Sequence, residues 1–453
     1  MAKKIEDEDF YHGLLPREDI QCLLRSAGDY LIRSSEVTAG GPRHTIISVA
    51  VAMDNVVPVA GQPVDQSTGK PLTIKHVVIN VINGKYYCDG KTPFDTVADL
   101  LAHFKGNNVS MMPTNPNVIP TTAILRQPWE HRHADVQLDK KLGEGAFGEV
   151  YKGTLTLQSK KAVDVAIKLA KTGEMTKEKI KEMMHEARLM RNYDHPNVVK
   201  LYGVCVEHEP LMIVMELING GGLDTYLKEN KVTAEEKVES MVCGAAWGLE
   251  YLHTKSCIHR DIAARNCLYA NHTVKISDFG LSREGSQYQM KVVRRVPIKW
   301  LAPETIQTLI YNAKTDVWSF GVMVWEIFSN AEEPYPGMTT AEVKEKIQQG
   351  YHMDMNPETP VDIAKLVTQE CWVLRAENRP TMMQIVRTLE VITGKSAPAN
   401  AGSFTLSKSP APPTNAQRAA SPVCVGMSMK TERKKKKKKN VNLLHPRSSG
   451  TEK

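Results

Sequence analysis

At 453 residues the chain is longer than one hydrophobic core usually serves, and its 42% apolar content is enough to build two. The net charge of +7 is unevenly spread: residues 396–453 hold twelve Lys and Arg against two acids, a tail of +10, which leaves −3 for residues 1–395. The basic balance therefore describes a tail and does not imply a nucleic-acid-binding core. Eight cysteines without a Cys-x-x-Cys pair argue against a zinc site and against a disulfide framework. The start, Met-Ala-Lys-Lys-Ile-Glu-Asp-Glu, is too charged for a signal peptide, and Ala2 breaks the myristoylation pattern. The apolar run from Thr45 to Ala60 is interrupted by Asp54, Asn55 and Pro58, so no stretch approaches a membrane span. An intracellular, reducing location is expected.

After an acidic segment over 1–9, Phe10-Tyr11-His12-Gly13 precedes Pro16-Arg17, which opens a helix expected to reach Arg25. Period-two alternation from Asp29 to Ser35 reads as a strand, followed by strands at Thr45–Ala52, His76–Val81 and Lys85–Tyr87, the last two joined by an Asn83-Gly84 turn. Val97, Leu100, Leu101 and Phe104 mark a second helix beginning at Thr96. Helix, sheet, helix, with an Arg inside the first strand, resembles an SH2 domain over 10–105, a central antiparallel sheet flanked by two helices. A guanidinium sunk in a strand can meet two oxygens of a dianionic phosphate with its rigid fork. The resemblance makes Arg33 that anchor, Ser35 a hydroxyl donor beside it, Arg17 a second cation and His76 a wall of the tyrosine slot. Phe10 stands where the family usually has Trp. The stretch from Met53 to Leu72, rich in Pro and Gly, reads as an insertion at the sheet edge, placed where it bears on peptide preference.

Residues 106–134 hold Pro113, Pro116, Pro120 and Pro128 and read as a linker; His131 and His133 alone make a poor metal site. Leu142-Gly143-Glu144-Gly145-Ala146-Phe147-Gly148-Glu149-Val150 then reads as a glycine-rich strand-turn-strand. There main-chain amides can close over phosphates, with Phe147 capping the tip. By itself this pattern also fits dinucleotide-binding folds, but the next element is a strand, Val163–Leu169, carrying Val165-Ala166-Ile167-Lys168. Ile180, Met183, Met184, Ala187 and Met190 form one helical face, with Glu186 at its border, where its carboxylate can reach Lys168. A buried strand, Leu211–Leu217, precedes Asn219-Gly220-Gly221-Gly222, and a long helix is expected from about Thr233 to His253.

His259-Arg260-Asp261-Ile262-Ala263-Ala264-Arg265-Asn266 and Asp278-Phe279-Gly280 supply an acid five positions before an amide, then a second acid about a dozen residues on. That is a ligand set for phosphoryl transfer, with one acid to take a hydroxyl proton and an amide and acid to hold a metal. Together with the glycine loop these residues resemble a protein kinase over 135–395, a bilobal fold, and Ala263-Ala264-Arg265 resembles its tyrosine-specific branch. The resemblance implies Asp261 as base, Arg265 shaping a slot for a phenol, and Lys168 with Glu186 orienting the phosphates. It implies ATP contacts from 142–150 and from the hinge residues Met215, Glu216 and Leu217. Asn266 and Asp278 would bind Mg2+, with Mn2+ as a substitute. The activation loop, running from Asp278 to Ala302-Pro303-Glu304, holds Tyr288, whose phosphate would meet Arg260 and Arg283. Pro297-Ile298-Lys299-Trp300 matches a tyrosine-kinase substrate platform. Asp316-Val317-Trp318-Ser319-Phe320-Gly321 would brace the catalytic loop, and Arg379 would tie down Glu304. Domain order, the Tyr-His-Gly start and the hinge are most similar to the Fes/Fer group; neither that group's membrane-bending domain nor an SH3 module is seen ahead of residue 10.

The tail, 396–453, is too polar to bury a core and is expected to be disordered. It lacks tyrosine, and Arg433 with Lys434 through Lys439 forms a polybasic run. Near an anionic leaflet each cation is worth about 1 kcal/mol, so contact with the inner face of the plasma membrane is one expectation, with nuclear targeting and a merely solvated tail as alternatives. The chain as a whole is expected to be a cytoplasmic, α+β multidomain tyrosine kinase recruited by tyrosine-phosphorylated proteins, acting on protein tyrosines and not on nucleic acid. A phosphotyrosine-binding adaptor with a silent kinase fold is the alternative.

Overall fold

A computed structural model describes residues 4–398 apart from 39, 55, 60, 146–147, 171–174 and 291–295. The tail with its run at 433–439, and Ala146 and Phe147 of the glycine loop, lie outside the described residues.

The first sheet has strands β1 (Asp29–Glu36), β2 (Arg43–Ala52), β3 (Leu72–Ile82), β4 (Lys85–Tyr87) and β5 (Thr122–Ala123) in the order β4-β3-β2-β1-β5. Strand alternation sorts its side chains. Tyr30, Ile32, Ile47, Val49, Val77 and Ile79 face helix α2 (Val97–Gly106), whose Leu100 and Phe104 complete that core. Leu31 and Ala50 face the other way, into a second core on the side of helix α1 (Arg17–Ile20). Arg33 is two residues on from Leu31 and so shares its face. The first helix is shorter than expected. After Ile20 the chain turns, and Asp29 takes the amides of Arg25 and Ser26 at 2.9 and 2.8 Å, bending the segment into β1. The insertion 53–71 is held at the opposite end of β2 from Arg43. Its buried Asp65 accepts the Ala27 amide at 2.7 Å, and Gln66 N–H donates to the Arg25 carbonyl.

The span 106–134 is far more structured than a linker. Met111 and Val118 are buried in the first domain, β5 pairs with β1, and β6 (Glu130–His131) joins the next sheet beside β10. That sheet comprises β7 (Val136–Gly145), β8 (Gly148–Thr156), β9 (Ala162–Leu169), β10 (Leu201–Cys205) and β11 (Met212–Glu216), ordered β6-β10-β11-β9-β8-β7. Helix α3 (Lys177–Met190) packs on it, started by the Thr176 hydroxyl, which caps the Lys179 amide. A helical large lobe follows: α4 (Leu223–Glu229), α5 (Ala234–Glu236) running through a π-turn into α6 (Cys243–Thr254), α7 (Pro303–Thr308) and the buried α8 (Ala313–Phe328).

The two domains share one apolar core. Leu14, Leu15, Ile20 and Leu24 of the first pack with Ile180, Met183, Met184 and Ala187 of α3. Polar groups seal the rim. The Leu14 amide donates to the Val206 carbonyl at 2.7 Å, and Asp19, almost fully buried, takes Arg188 at 2.7 Å and Arg191 at 3.2 Å. His12 meets Glu130 at 2.8 Å, Arg126 meets Glu207, and the Arg191 guanidinium lies 3.9 Å over the Trp129 ring. Among the described residues no helix is long and apolar enough to cross a membrane.

Candidate active site and phosphate pocket

Three charged groups remote in sequence converge between the lobes. Lys168, on β9, places its ammonium 2.7 and 2.9 Å from the two oxygens of Glu186 on α3 and 3.4 Å from Asp278. Burial works against the ammonium, but Glu186 and then Asp278 outweigh it, so Lys168 titrates above its ordinary value and stays charged. The glycine loop lies above this site, with Leu142 to Gly145 on β7 and Gly148 to Val150 on β8; Gly143 opposes Val150 and Gly145 opposes Gly148. Gly148 has φ +139°, and a Cβ there would fall 2.0 Å from the Leu169 carbonyl oxygen, so only glycine fits. Glu144 and Glu149 both pair with Lys141, at 2.9 and 2.6 Å. At the strand end, the Glu216 carboxylate accepts the Lys200 amide and the Lys275 ammonium at 2.7 and 2.9 Å, fixing the segment with Met215 and Leu217 against the large lobe.

The catalytic-loop residues are held by α8. One Asp316 oxygen takes the His259 amide at 2.8 Å and the other the Arg260 amide at 2.9 Å. Asp261 meets the Arg265 guanidinium at 2.5 Å, and Asn266 donates to the Asp261 carbonyl at 2.8 Å. Asp278 sits in the left-handed region at φ +57° while Phe279 is buried against Tyr193 and His259. Arg265 lies 4.3 Å over Trp300, and Arg379 grips Glu304 with two bonds of 2.7 and 2.8 Å. Tyr288 stands opposite Tyr311 in a short strand pair, and both rings lie 4.3 Å from the Arg260 guanidinium, with Arg283 5.3 Å from Tyr288.

Sequence reasoning missed Glu326. One of its oxygens accepts both the Ala264 amide and the Trp300 indole N–H at 3.0 Å, joining the catalytic loop to the C-terminal end of the activation loop. Burial pushes its carboxyl up to about 7. A lone acid at the end of an apolar helix carries no motif, so only its inward placement identifies it. Cys257 and Cys267 are buried, and burial pushes the Cys257 thiol up to about 12, which makes it inert at neutral pH. His133 lies beside Glu207 and His208, residues about 75 positions away, and is already committed to Glu207 and the Pro210 carbonyl.

A second cavity lies at the domain junction. Arg17, Arg33 and Ser35 line it, and His76 stands behind Arg33 through Ser48: Arg33 Nε donates to the Ser48 hydroxyl at 3.3 Å, and Ser48 meets His76 at 3.0 Å. Burial and then Arg17 lower Arg33 to about 10; burial, Arg33 and Arg17 hold His76 down to about 4. Cations crowded together in a buried pocket fit an anion. Ser48 was also missed, a buried serine in an apolar strand being indistinguishable from a core filler.

Residues 136–389 match the family model for protein tyrosine and serine/threonine kinases, and residues 10–104 match that for SH2 domains. The chain is 38% identical over 399 residues to the tyrosine-protein kinase Fer of Homo sapiens, covering 87% of this chain and 45% of that one. It therefore spans less than half the length of that relative. Over 394 residues it is 38% identical to Fer-related kinase 1 of Caenorhabditis elegans, covering 85% of this chain and 94% of the other. The transforming protein Fps of avian sarcoma virus (strain PRCII) is 34% identical over 397 residues, 86% of this chain and 69% of its own. The chain belongs to the protein tyrosine and serine/threonine kinase family, in its Fer/Fps group, with an SH2 domain ahead of the kinase domain.

Proposed function

We propose that the chain transfers the γ-phosphate of ATP to tyrosine hydroxyls of proteins and is recruited and activated through phosphotyrosine bound to its SH2 domain. The observation that carries this reading is the convergence of Lys168, Glu186 and Asp278, with Asp261 and Asn266 anchored beside them. Lys168, oriented by Glu186, would hold the α- and β-phosphates, under the amides of 142–150 and with adenine against Met215, Glu216 and Leu217. The Asn266 amide and the Asp278 carboxylate are hard oxygen donors that suit Mg2+, with Mn2+ able to replace it. Such an ion would supply positive charge to offset that of the phosphates. Asp261 would take the proton of the attacking phenol, and Arg265, stacked on Trp300, would set how far that hydroxyl stands from the backbone.

Purified chain with ATP, Mg2+ and a Glu/Tyr copolymer is expected to incorporate phosphate on tyrosine only, as read by phosphoamino-acid analysis. Asp261→Asn is expected to lower the rate by about a hundredfold or more. No incorporation by the parent chain supports instead a phosphotyrosine adaptor with a silent kinase fold; phosphoserine among the products overturns the specificity. For localisation we propose the cytoplasm and the inner membrane face, through the run at 433–439. Co-sedimentation with phosphatidylserine vesicles, lost when those cations become Gln, is expected; retention after that change overturns the membrane role.

A further inference from the structure

The phosphate pocket is not built by the SH2 domain alone. Lys177, Ile180 and Lys181 of the kinase helix α3 form its remaining wall, so that among the described residues five cations, Arg17, Arg33, Arg43, Lys177 and Lys181, line it with one carboxylate, Glu36. Arg33 is 1% exposed, and its Nη2 finds no hydrogen-bond partner among the described residues. A buried guanidinium nitrogen left unpaired is costly, and an oxyanion on the pocket side would satisfy it.

The lysines are only lightly committed. Lys177 Nζ lies 3.5 Å from the Glu36 carbonyl, and Lys181 Nζ lies 3.1 Å from the Glu18 carboxylate at a half-exposed pair. Such pairs are weak, and an ammonium has three donors to distribute. Arg43 is drawn to the kinase side already, through Glu209 and the Met175 carbonyl. The Glu36 carboxylate is engaged by the Gly40 amide at 3.0 Å.

We infer that Lys177 and Lys181 are direct ligands of the phosphate, so that the phosphotyrosine site is a composite of SH2 and kinase residues, complete only when α3 is docked. The inference rests on the SH2 reading above and deepens it. Lys181 precedes Glu186 by five residues on the same helix, so an anion clamped between Arg33 and the two lysines also holds α3 where Glu186 reaches Lys168. Coupling of this kind is reciprocal: whatever stabilises the Lys168–Glu186 pair tightens phosphotyrosine binding.

The test measures anisotropy of a fluorescein-labelled degenerate phosphotyrosyl peptide library on the full chain, with the unphosphorylated library as blank. Arg33→Ala is expected to remove binding. The pair Lys177→Ala with Lys181→Ala is expected to weaken it about tenfold, and Lys177→Arg with Lys181→Arg to restore it to within about twofold, since the ligand needs cations there and not lysine as such. If Arg33→Ala removes binding but the alanine pair stays within about twofold of the parent, the composite site is overturned while the SH2 reading stands. A loss that the arginine pair fails to restore also overturns it, since displaced packing would then be the cause. If Arg33→Ala leaves binding intact, the SH2 reading itself fails.

Discussion

Glu326 shows what one buried carboxylate can do for a catalytic loop. Its single accepting oxygen serves two donors, so an amide oxygen at the same place can accept both bonds. Burial raises the carboxyl from 4.5 to about 7, above its unfolded value. The stabilising contribution is therefore complete below about pH 4.5 and is lost as pH rises through about 7. Urea unfolding of the parent chain is expected to show declining stability between those values, and Glu326→Gln a flatter profile. Glu326→Leu, which strands both donors, is expected to cost about 2 kcal/mol or more at every pH and to slow phosphorylation as the loop loosens. Equal pH profiles for parent and Gln variant would show that Glu326 is not the titrating group. Lys168, Asp261 and Asp278 were legible because each sits in a short local pattern. Glu326 and Ser48 sit in none.

At the scale of elements, α3 is where the two domains meet the chemistry. Its apolar face could be read from spacing alone, since Ile180, Met183, Met184 and Ala187 recur at helical intervals. What that face would pack against could not, because a Leu or Ile contributes the same apolar area whichever domain buries it. Asp19 lies 169 residues from Arg188, and no local pattern pairs them. Asp19→Asn keeps the shape but removes the charge between two guanidiniums. It is expected to lower unfolding free energy by about 3 kcal/mol, as breaking a buried pair does, and to reduce copolymer phosphorylation several-fold. Urea titration and initial rates check both; a stability loss with unchanged rate would separate docking from activity. The short α1 follows the same logic. Sequence suggested a helix to Arg25, but Asp29 recruits the amides of Arg25 and Ser26 and the chain turns early.

At the scale of the molecule, docking depends on the junction around His12 and Gly13. Burial works against a charged His12, but the Glu130 carboxylate 2.8 Å away outweighs it, so its value is raised above 6.5. With the folded value above the unfolded one, the contribution is fully present below about pH 6.5 and is lost as pH climbs through the raised value. Melting of the docked unit is expected to fall over that upper range, and His12→Asn to flatten the fall, as followed by calorimetry. Gly13 has φ +49°, and a Cβ would sit 2.0 Å from the Val206 carbonyl oxygen of the small lobe. Gly13→Ala is expected to separate the domains, seen as a larger radius in small-angle scattering and faster proteolysis within 106–134. An unchanged radius would mean the backbone can yield there.

By itself the sequence determined the two domain types, the order of the catalytic groups, and the apolar faces of strands and helices, because each of these is written in neighbours a few residues apart. Only the tertiary structure decided that 106–134 is woven into both sheets, that the domains share a core, and that kinase lysines line the pocket beside Arg33. Those features are contacts between distant segments. Burial and charge pairing act on proximity in space, and the chain order of Asp19 and Arg188, or of Arg33 and Lys181, carries no trace of it.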